Sequence, residues 1–190
     1  MRHHDNRILG IMALVSAAAF AEPLRVTGEH SDPLDIRWQV VNDTVMGGAS
    51  RSRVATQDGQ VRFTGQLNTN GGGFASLRSN RQDWDLSAFS VVRLKVRGDG
   101  RNYRFRLSID GDRASYQSEF GTSAGTAQIV ELPINAFYPS WRGRRLQRPP
   151  LAASNITGMG LMLADGKDGH FDLMVEWIEF DHFQPAQYSD

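Results

Sequence analysis

The sequence predicts an all-β fold, an antiparallel β-sandwich of jelly-roll type. Apolar and polar residues alternate along most of the chain, which is typical of strands with one buried face, whereas the helical period is nearly absent. Gly, Asn and Asp separate the alternating segments. About ten short strands at this spacing favour two packed sheets, because a single open sheet would leave one apolar face in water.

The clearest alternation lies at 92–97 and 103–109, and the turn-rich segment 98–102 between them predicts a β-hairpin. A short helix or turn is expected at 151–155, directly after two prolines. Further strands are predicted at 38–41, 51–55, 61–66, 74–78, 116–120, 128–132, 156–163 and 170–180. The core residues expected from the apolar side of these segments are Trp38, Phe63, Leu94, Phe105, Leu107 and Trp177.

The predicted hairpin gathers positive charge on one face. If it buries its apolar side chains, Arg97 lies opposite Arg104 on the outer surface. Lys95 then lies opposite Arg106. Like charges directly opposite each other destabilise a sheet by about 0.2 to 1 kcal/mol per pair, so a compensating interaction is expected.

Two kinds of compensation stay open. A neighbouring acidic strand supplies it in one interpretation, with Glu119 or Glu131 as the pairing residue. An acidic protein partner or an anionic ligand supplies it in the other, which makes the basic face a binding site. Four further arginines either extend that face or form a solvated loop: Arg142, Arg144, Arg145 and Arg148.

The first residues have the features of a secretory signal peptide. Basic residues precede an unbroken run of small and apolar residues at 8–20, which is too short to span a bilayer. The run closes on Ala19-Phe20-Ala21, the small-x-small pattern that a signal peptidase requires. We therefore predict a signal peptide at 1–21 and a single β-sandwich domain at 22–190, in a periplasmic or secreted protein. Mitochondrial or cytoplasmic localisation is the alternative if the leader is not a secretion signal.

Composition excludes several classes of protein. Removal of the leader takes away two Arg and one Asp from 21 basic and 21 acidic residues, which leaves 19 against 20. No global field then recruits nucleic acid or an anionic membrane surface. The absence of Cys excludes disulfides, thiolate chemistry and Cys-based zinc sites. No apolar segment after the leader approaches spanning length, so no transmembrane segment is expected in the mature form.

Several segments resemble a known family. They read WQVVNDTVMGGAS at 38–50, GGGFASLR at 71–78, DLSAFSVVRLKVRGDGRNYRF at 85–105 and ITGMGLMLADGKDGHFDLMVEWI at 156–178. Together they resemble the complex I intermediate-associated protein 30 family, whose domain is similar to galactose-binding-like β-sandwiches. The resemblance implies that fold and a role in NADH dehydrogenase (complex I) assembly, exerted by binding respiratory-complex subunits. It also implies chaperone-like binding of unfolded protein.

The most specific part of that resemblance, Asn-Asp-Thr-Val-Met-Gly-Gly, is also a candidate binding loop. Asn42 and Asp43 can bond local backbone, and Gly47 and Gly48 permit positive φ and close approach of another chain. In the functional interpretation these residues and Met46 form a ligand rim at one end of the sandwich. In the structural interpretation the two polar residues cap a tight turn and Met46 fills the core.

Catalytic, metal and cofactor motifs are weak. The histidines at 30, 170 and 182 lack metal-type spacing, and no G-x-S-x-G elbow occurs. Glycines at 71–73 precede a strand rather than a helix, which favours a loop over a phosphate cradle. Acidic turns at 110–112 and 165–169 match ordinary turns as well as calcium loops. We therefore expect no catalytic residue, no metal ligand and no cofactor.

The leading hypothesis is thus a non-enzymatic protein-interaction module. A carbohydrate-binding module is the second hypothesis, because Trp84, Tyr138 and Trp141 are candidates for exposed aromatic residues that stack on sugars. A hydrolase is the third, since two carboxylates for glycoside hydrolysis need not be close in the chain.

Overall fold

The computed structural model describes residues 21–28 and 34–182, so the predicted signal peptide lies almost wholly outside the described residues. Within these ranges thirteen strands pair into two antiparallel sheets. The strands are β1 (Leu24–Thr27), β2 (Trp38–Asn42), β3 (Arg51–Gln57), β4 (Gln60–Leu67), β5 (Ala75–Ser79), β6 (Val91–Arg97), β7 (Asn102–Ile109), β8 (Ser115–Gly121), β9 (Ala127–Pro133), β10 (Tyr138–Trp141), β11 (Arg144–Arg145), β12 (Ile156–Leu163) and β13 (Gly169–Asp181).

The two sheets pack face to face as a sandwich. Sheet A has the order β3-β4-β13-β6-β9, and β1 pairs with the end of β13. Sheet B has the order β11-β10-β8-β7-β12-β5-β2. Most strands turn alternate apolar side chains toward the space between the sheets, so the predicted antiparallel sandwich is confirmed.

The core between the sheets contains most of the predicted residues. Phe63, Leu94, Phe105 and Leu107 have no exposed surface, and Trp38 is partly buried against them. These residues come from both sheets, so the two layers share a single apolar interior.

The hairpin predicted for segments 92–97 and 103–109 is wrong. Strand β6 lies in sheet A between β13 and β9, whereas β7 lies in sheet B between β12 and β8. The chain between them crosses from one sheet to the other, and the Tyr103 hydroxyl donates a hydrogen bond to Asp99 Oδ2 at 3.0 Å there. Alternation shows which side of a strand faces the core but not which strand it pairs with. Both strands bury their apolar sides in the same core from opposite sheets.

The prediction that Trp177 lies in the core is also wrong, because β13 contains a β-bulge. The register with β6 shifts between Val175 and Trp177, with Glu176 as the extra residue. Trp177 then pairs with Lys95 on the outer side of sheet A. It is partly exposed there, and the Arg25 guanidinium carbon lies 4.6 Å from its ring centroid.

The other predicted strands match β2, β3, β4, β5, β8, β9, β12 and β13 to within two residues at each end. The turn expected at 151–155 contains the 3-10 segment Ala153–Asn155. Three strands escaped prediction because they lack a readable alternation: β1 has four residues, β10 contains Pro139 and β11 consists of two arginines.

Candidate functional site

The Asp43 carboxylate is the centre of the predicted binding loop. Asp43 begins the 3-10 turn Asp43–Met46 and has no exposed surface. Its Oδ1 accepts a hydrogen bond from Ser50 N at 2.9 Å, and its Oδ2 accepts one from the Ser50 hydroxyl at 2.6 Å. The N–H groups of Gly73 and Phe74 also donate to Oδ2, at 2.6 and 3.2 Å. The carboxylate therefore ties this loop to the glycine run before β5.

Glycines on both sides make room for that carboxylate. A Cβ on Gly48 would lie 2.5 Å from Asp43 Oδ1, and a Cβ on Gly72 would lie 2.5 Å from Oδ2. Burial alone would raise the pKa of Asp43, but its hydrogen bonds outweigh burial and hold the pKa below the ordinary value. Asp43 is therefore a buried structural anion that bonds Ser50, Gly73 and Phe74. The expectation that Asn42 caps the turn is wrong, because the Asn42 side chain makes no cap hydrogen bond.

The remaining loop residues take other positions. Asn42 ends β2, and its Oδ1 accepts a hydrogen bond from the Ser52 hydroxyl at 2.6 Å. Gly47 closes the turn with a φ of 90°. Met46 is 56% exposed and Val45 69%, so the expectation that Met46 fills the core is wrong. The buried member of this turn is the hydrogen-bonded carboxylate, and the two apolar side chains project outward.

The four basic residues predicted to form one face lie on two faces, because β6 and β7 belong to different sheets. Lys95 and Arg97 lie on the outer side of sheet A. Lys95 Nζ is 2.7 Å from Glu176 Oε2, and Arg97 Nη2 is 4.0 Å from Glu176 Oε1. Arg104 and Arg106 lie on the outer side of sheet B.

An acidic neighbour compensates part of this charge, as one interpretation predicts. Arg104 Nε donates to Glu119 Oε1 at 2.9 Å across the β7–β8 pair. Glu131 pairs instead with Arg93, at 2.8 Å.

The outer side of sheet B forms a groove of about 800 Å³, which we call the sheet B groove. Its floor comes from β5, β7, β8 and β12, and its rims come from the Asp43–Met46 turn and from the end of β10. The floor residues used below are Arg78, Arg104, Arg106, Gln117, Gly160 and Met162.

One row of residues crosses the middle of this floor. The register places Arg78 of β5 and Arg106 of β7 on either side of Gly160 of β12. Gln39 of β2 pairs with Arg78, and Gln117 of β8 pairs with Arg106. Since neighbouring strands lie about 4.8 Å apart, the two arginine Cα atoms are about 10 Å apart with no side chain between them.

The two central arginines form no ion pair within the described part of the chain. Arg106 Nε donates to the Ser115 hydroxyl at 2.9 Å, and its Nη2 donates to the same oxygen. Burial and the neighbouring Arg78 and Arg104 lower the pKa of Arg106 to about 10. Arg106 is still protonated at neutral pH, so the groove floor is positively charged.

The rims of the sheet B groove are apolar. Val45 and Met46 form one rim, and Trp141, which is 40% exposed, forms the other. The Arg142 guanidinium carbon lies 4.7 Å from the Trp141 ring centroid. A ligand in the groove therefore meets a basic floor between apolar edges.

Of the three aromatic residues considered for sugar stacking, Trp141 alone lines this groove. Trp84 packs against Phe180 with ring centroids 5.7 Å apart, and its Nε1 donates to Ile156 O at 2.7 Å. The Tyr138 hydroxyl donates to Glu119 at 3.1 Å, outside the groove lining.

Carboxylates are scarce around the groove. Asp112 is the one acidic residue among its described lining residues, and it pairs with Arg148. The acidic turn at 165–169 uses Asp165 to pair with Arg101 at 2.6 Å. No cluster of three or more His, Asp or Glu residues suited to a metal ion occurs in the described ranges.

Sequence reasoning found part of this groove and missed the rest. Arg104, Arg106 and Met46 were candidates, in two separate predicted sites that the structure brings together. Arg78 and Gly160 were missed, although Arg78 follows the apolar Leu77 in the GGGFASLR segment and so faces outward. Their position beside Arg106 depends on strand order, which periodicity does not contain.

Comparison with known proteins places the chain in a family. The family profile described as complex I intermediate-associated protein 30 matches residues 28–175. The chain belongs to the complex I intermediate-associated protein 30 family. The Asp43 motif lies within the matched region, and so do all the described lining residues of the sheet B groove.

Curated relatives of the family show moderate identity. The chain is 29% identical to an uncharacterized protein of Schizosaccharomyces pombe over 166 residues, 74% of this chain and 76% of that protein. It is 26% identical to complex I intermediate-associated protein 30, mitochondrial, of Mus musculus over 183 residues. That match covers 83% of this chain and 56% of the mouse protein, so the chain spans little more than half of that relative.

A solved structure has the same fold. The family 11 carbohydrate-binding module of the cellulase Lic26A-Cel5E of Clostridium thermocellum is similar with a TM-score of 0.62 at 14% identity. The similarity covers 89% of this chain and 100% of the module, in agreement with a sandwich of jelly-roll, galactose-binding-like type.

Among the described residues, none belongs to a helix long and apolar enough to cross a membrane.

Proposed function

We propose that this chain is a non-enzymatic binding module that assists the assembly of NADH dehydrogenase (complex I) by holding a protein partner in the sheet B groove. The observation that carries the proposal is the groove itself, whose rims expose Val45, Met46 and Trp141. Large apolar side chains grouped around a cleft are typical of surfaces that bind other proteins. Membership of the complex I intermediate-associated protein 30 family supports an assembly role.

The chemistry of the groove supports binding rather than catalysis. Glycoside hydrolysis requires two carboxylates that flank the scissile bond, whereas the described lining contains Asp112 alone, and Arg148 engages it. No His lines the groove in the described part of the chain. The floor therefore offers cations and amides that orient a ligand, without a general base.

The same surface suits partners that are not fully assembled. Met46 is unbranched, polarisable and exposed, so it can adapt to different apolar side chains. Subunits that await assembly expose such side chains before their own interfaces form. Chaperone-like binding of unfolded or unassembled protein is therefore part of this proposal.

The compartment depends on the leader. Export with cleavage after Ala21 stays a prediction from the sequence, whereas the name of the mouse relative, which includes the word mitochondrial, agrees with the alternative localisation. N-terminal sequencing of the protein from its own cells tests cleavage. A form that begins at Glu22 supports removal of the leader, and a form that retains Met1 contradicts it.

Affinity capture from the native cells tests the proposed function. The tagged full chain should enrich NADH dehydrogenase subunits in mass spectrometry, and the Val45→Asp/Met46→Asp variant should lose them, because charge on the rim opposes an apolar partner. Ile129→Asp is the matched control, since Ile129 is 58% exposed on β9 of sheet A. Capture of no such subunits, or equal loss in the control, would overturn the proposal.

Carbohydrate binding is the second candidate, and exposed Trp141 at the groove rim is the observation that favours it. A neutral β-glucan oligosaccharide titrated into the full chain should then quench Trp fluorescence in wild type and not in Trp141→Ala. The protein-binding proposal predicts no such quenching.

A further inference from the structure

The sheet B groove is basic along its whole length. Its charged lining residues are Arg78, Arg104, Arg106, Arg113 and Arg142, against Asp112. Its net charge is therefore positive, although the chain as a whole is neutral. The amino-acid composition does not reveal this local positive charge, because it gives only the net charge of the chain.

The arginines of the groove differ in how their charge is balanced. Glu119 pairs with Arg104 at 2.9 Å, and Arg142 lies over the Trp141 ring. Apart from Arg104, none of them has a carboxylate partner among the described residues, and Arg78 and Arg106 are the two that lie in one row across the floor. Arg106 is partly buried, yet its guanidinium donates to a neutral hydroxyl, that of Ser115. A partly buried cation without an anion is unfavourable, and a bound anion would relieve that cost.

The space between these two arginines is kept open. They flank Gly160 on adjacent strands, and a Cβ on Gly160 would collide with the carbonyl oxygen of Leu77. Residue 160 therefore places no side chain between the positions of the two arginines on the sheet. Each guanidinium presents a planar fork of N–H donors, which matches the two oxygens of a carboxylate.

We propose that Arg78 and Arg106 form a clamp for carboxylate groups, and that the sheet B groove binds an acidic peptide segment flanked by apolar residues. The inference rests on the proposed function and names the chemistry of the partner. Carboxylates of Asp or Glu bind over Gly160, and apolar side chains on either side of them contact Val45, Met46 and Trp141.

The side chains at the rims of the sheet B groove favour a peptide over an acidic sugar as the ligand. Aliphatic Val45 and unbranched Met46 suit the irregular apolar side chains of a peptide, whereas sugar rings stack on flat aromatic faces. Two aromatic residues, Phe74 and Trp141, are among the described lining residues, and Trp141 already has Arg142 above its ring.

Fluorescence anisotropy with the full chain tests this clamp. The probe is fluorescein-labelled Leu-Leu-Asp-Glu-Asp-Leu-Leu, and the matched control peptide carries Asn-Gln-Asn at its centre. Wild type should bind the acidic peptide and not the amide peptide, with an affinity that falls as salt is added. Arg78→Gln/Arg106→Gln should weaken binding by about tenfold or more, since each charged hydrogen bond carries about that factor.

Arg97→Gln is the matched control, because Arg97 is a basic residue on the outer face of sheet A. It should bind the acidic peptide as wild type does. The double variant should melt at the same temperature as wild type or higher, because it removes two cations that lack an acidic partner. This melt separates loss of binding from loss of folding.

Three results would overturn the clamp: equal binding of the acidic and amide peptides, wild-type affinity in the double variant, or an equal loss in Arg97→Gln. Tighter binding of a sulfated or uronic oligosaccharide than of the peptide would also overturn it, in favour of a sugar ligand.

If Arg78→Gln/Arg106→Gln still captures the subunits that Val45→Asp/Met46→Asp loses, the clamp fails and the proposed function stands. If the acidic peptide binds as expected but no subunits are captured, the proposed function fails instead.

Discussion

The N–H of Gly73 donates a hydrogen bond of 2.6 Å to Asp43 Oδ2, and this bond joins two loops thirty residues apart in the chain. It explains why the sequence places a glycine run before β5 and another after the Asp43–Met46 turn. Both runs bring backbone against one buried carboxylate. The Asn-Asp-Thr-Val-Met-Gly-Gly motif thus has a structural role, since its carboxylate holds one rim of the sheet B groove.

Asp43→Asn should destabilise the protein by about 2 to 3 kcal/mol. Four hydrogen bonds are donated to the Asp43 carboxylate. The Asn amide would place its own N–H donors against some of these donors, so those hydrogen bonds would be lost. Denaturant unfolding at neutral pH measures the change in the free energy of unfolding. An unchanged midpoint and slope would contradict the role of Asp43.

The stability of the protein in acid should depend on the protonation of the Asp43 carboxylate. Because the pKa of Asp43 is lower in the folded state than in the unfolded state, its contribution is complete above the unfolded pKa. The contribution is lost as pH falls through the folded pKa. The difference in unfolding free energy between wild type and Asp43→Asn should therefore be constant at neutral pH and shrink below about pH 4. A difference in unfolding free energy that grows in acid would contradict a lowered pKa of Asp43 in the folded state.

Gly48→Ala should be strongly destabilising, since the new Cβ would lie 2.5 Å from Asp43 Oδ1. Gly158→Ala is the matched control in β12, because its Cβ would meet Ser79 Oγ at 3.4 Å, an ordinary contact. Thermal melts of the two variants compare a methyl group that collides with the Asp43 carboxylate with one that has room. Similar melting temperatures would contradict the explanation that residue 48 is Gly because the carboxylate leaves no space for a side chain.

Phe105→Ala should cost about 3 to 5 kcal/mol, because Phe105 is fully buried and packs near Phe137 with ring centroids 6.3 Å apart. Trp177→Ala should cost clearly less, because the β-bulge places Trp177 on the outer side of sheet A. Denaturant melts of both variants measure this difference. A larger loss for Trp177→Ala would restore the sequence-based register of β13.

The sequence predicts the faces of strands well and their partners poorly. The alternation around Leu94 and Phe105 correctly places both in the core, because burial depends on side-chain period alone. It does not show that these two strands face each other across the sandwich. A turn-rich segment such as 98–102 can close a hairpin or cross between sheets, and the hydrophobic pattern is the same in both cases.

The candidate site was predictable in its residue types but not in its arrangement. Arg106 is an outward cation as predicted, but the expected like-charge pairs Arg97–Arg104 and Lys95–Arg106 are wrong, because β6 and β7 lie in different sheets. The cross-strand neighbours of Arg106 are Gly160 and Gln117, and Arg78 lies one strand further, beyond Gly160. The single extra residue at Glu176 likewise shifts Trp177 outward, and nothing in the local sequence marks that bulge.

NMR of methionine methyl groups in the complex with the captured partner shows whether the partner occupies the sheet B groove. Met46 and Met162 line the sheet B groove, whereas Met174 lies on the outer side of sheet A. Single Met→Leu variants assign the signals. If the partner occupies the groove, the methyl resonances of Met46 and Met162 should shift on binding while that of Met174 stays in place. A shift of Met174 with unchanged Met46 and Met162 would contradict binding in the sheet B groove.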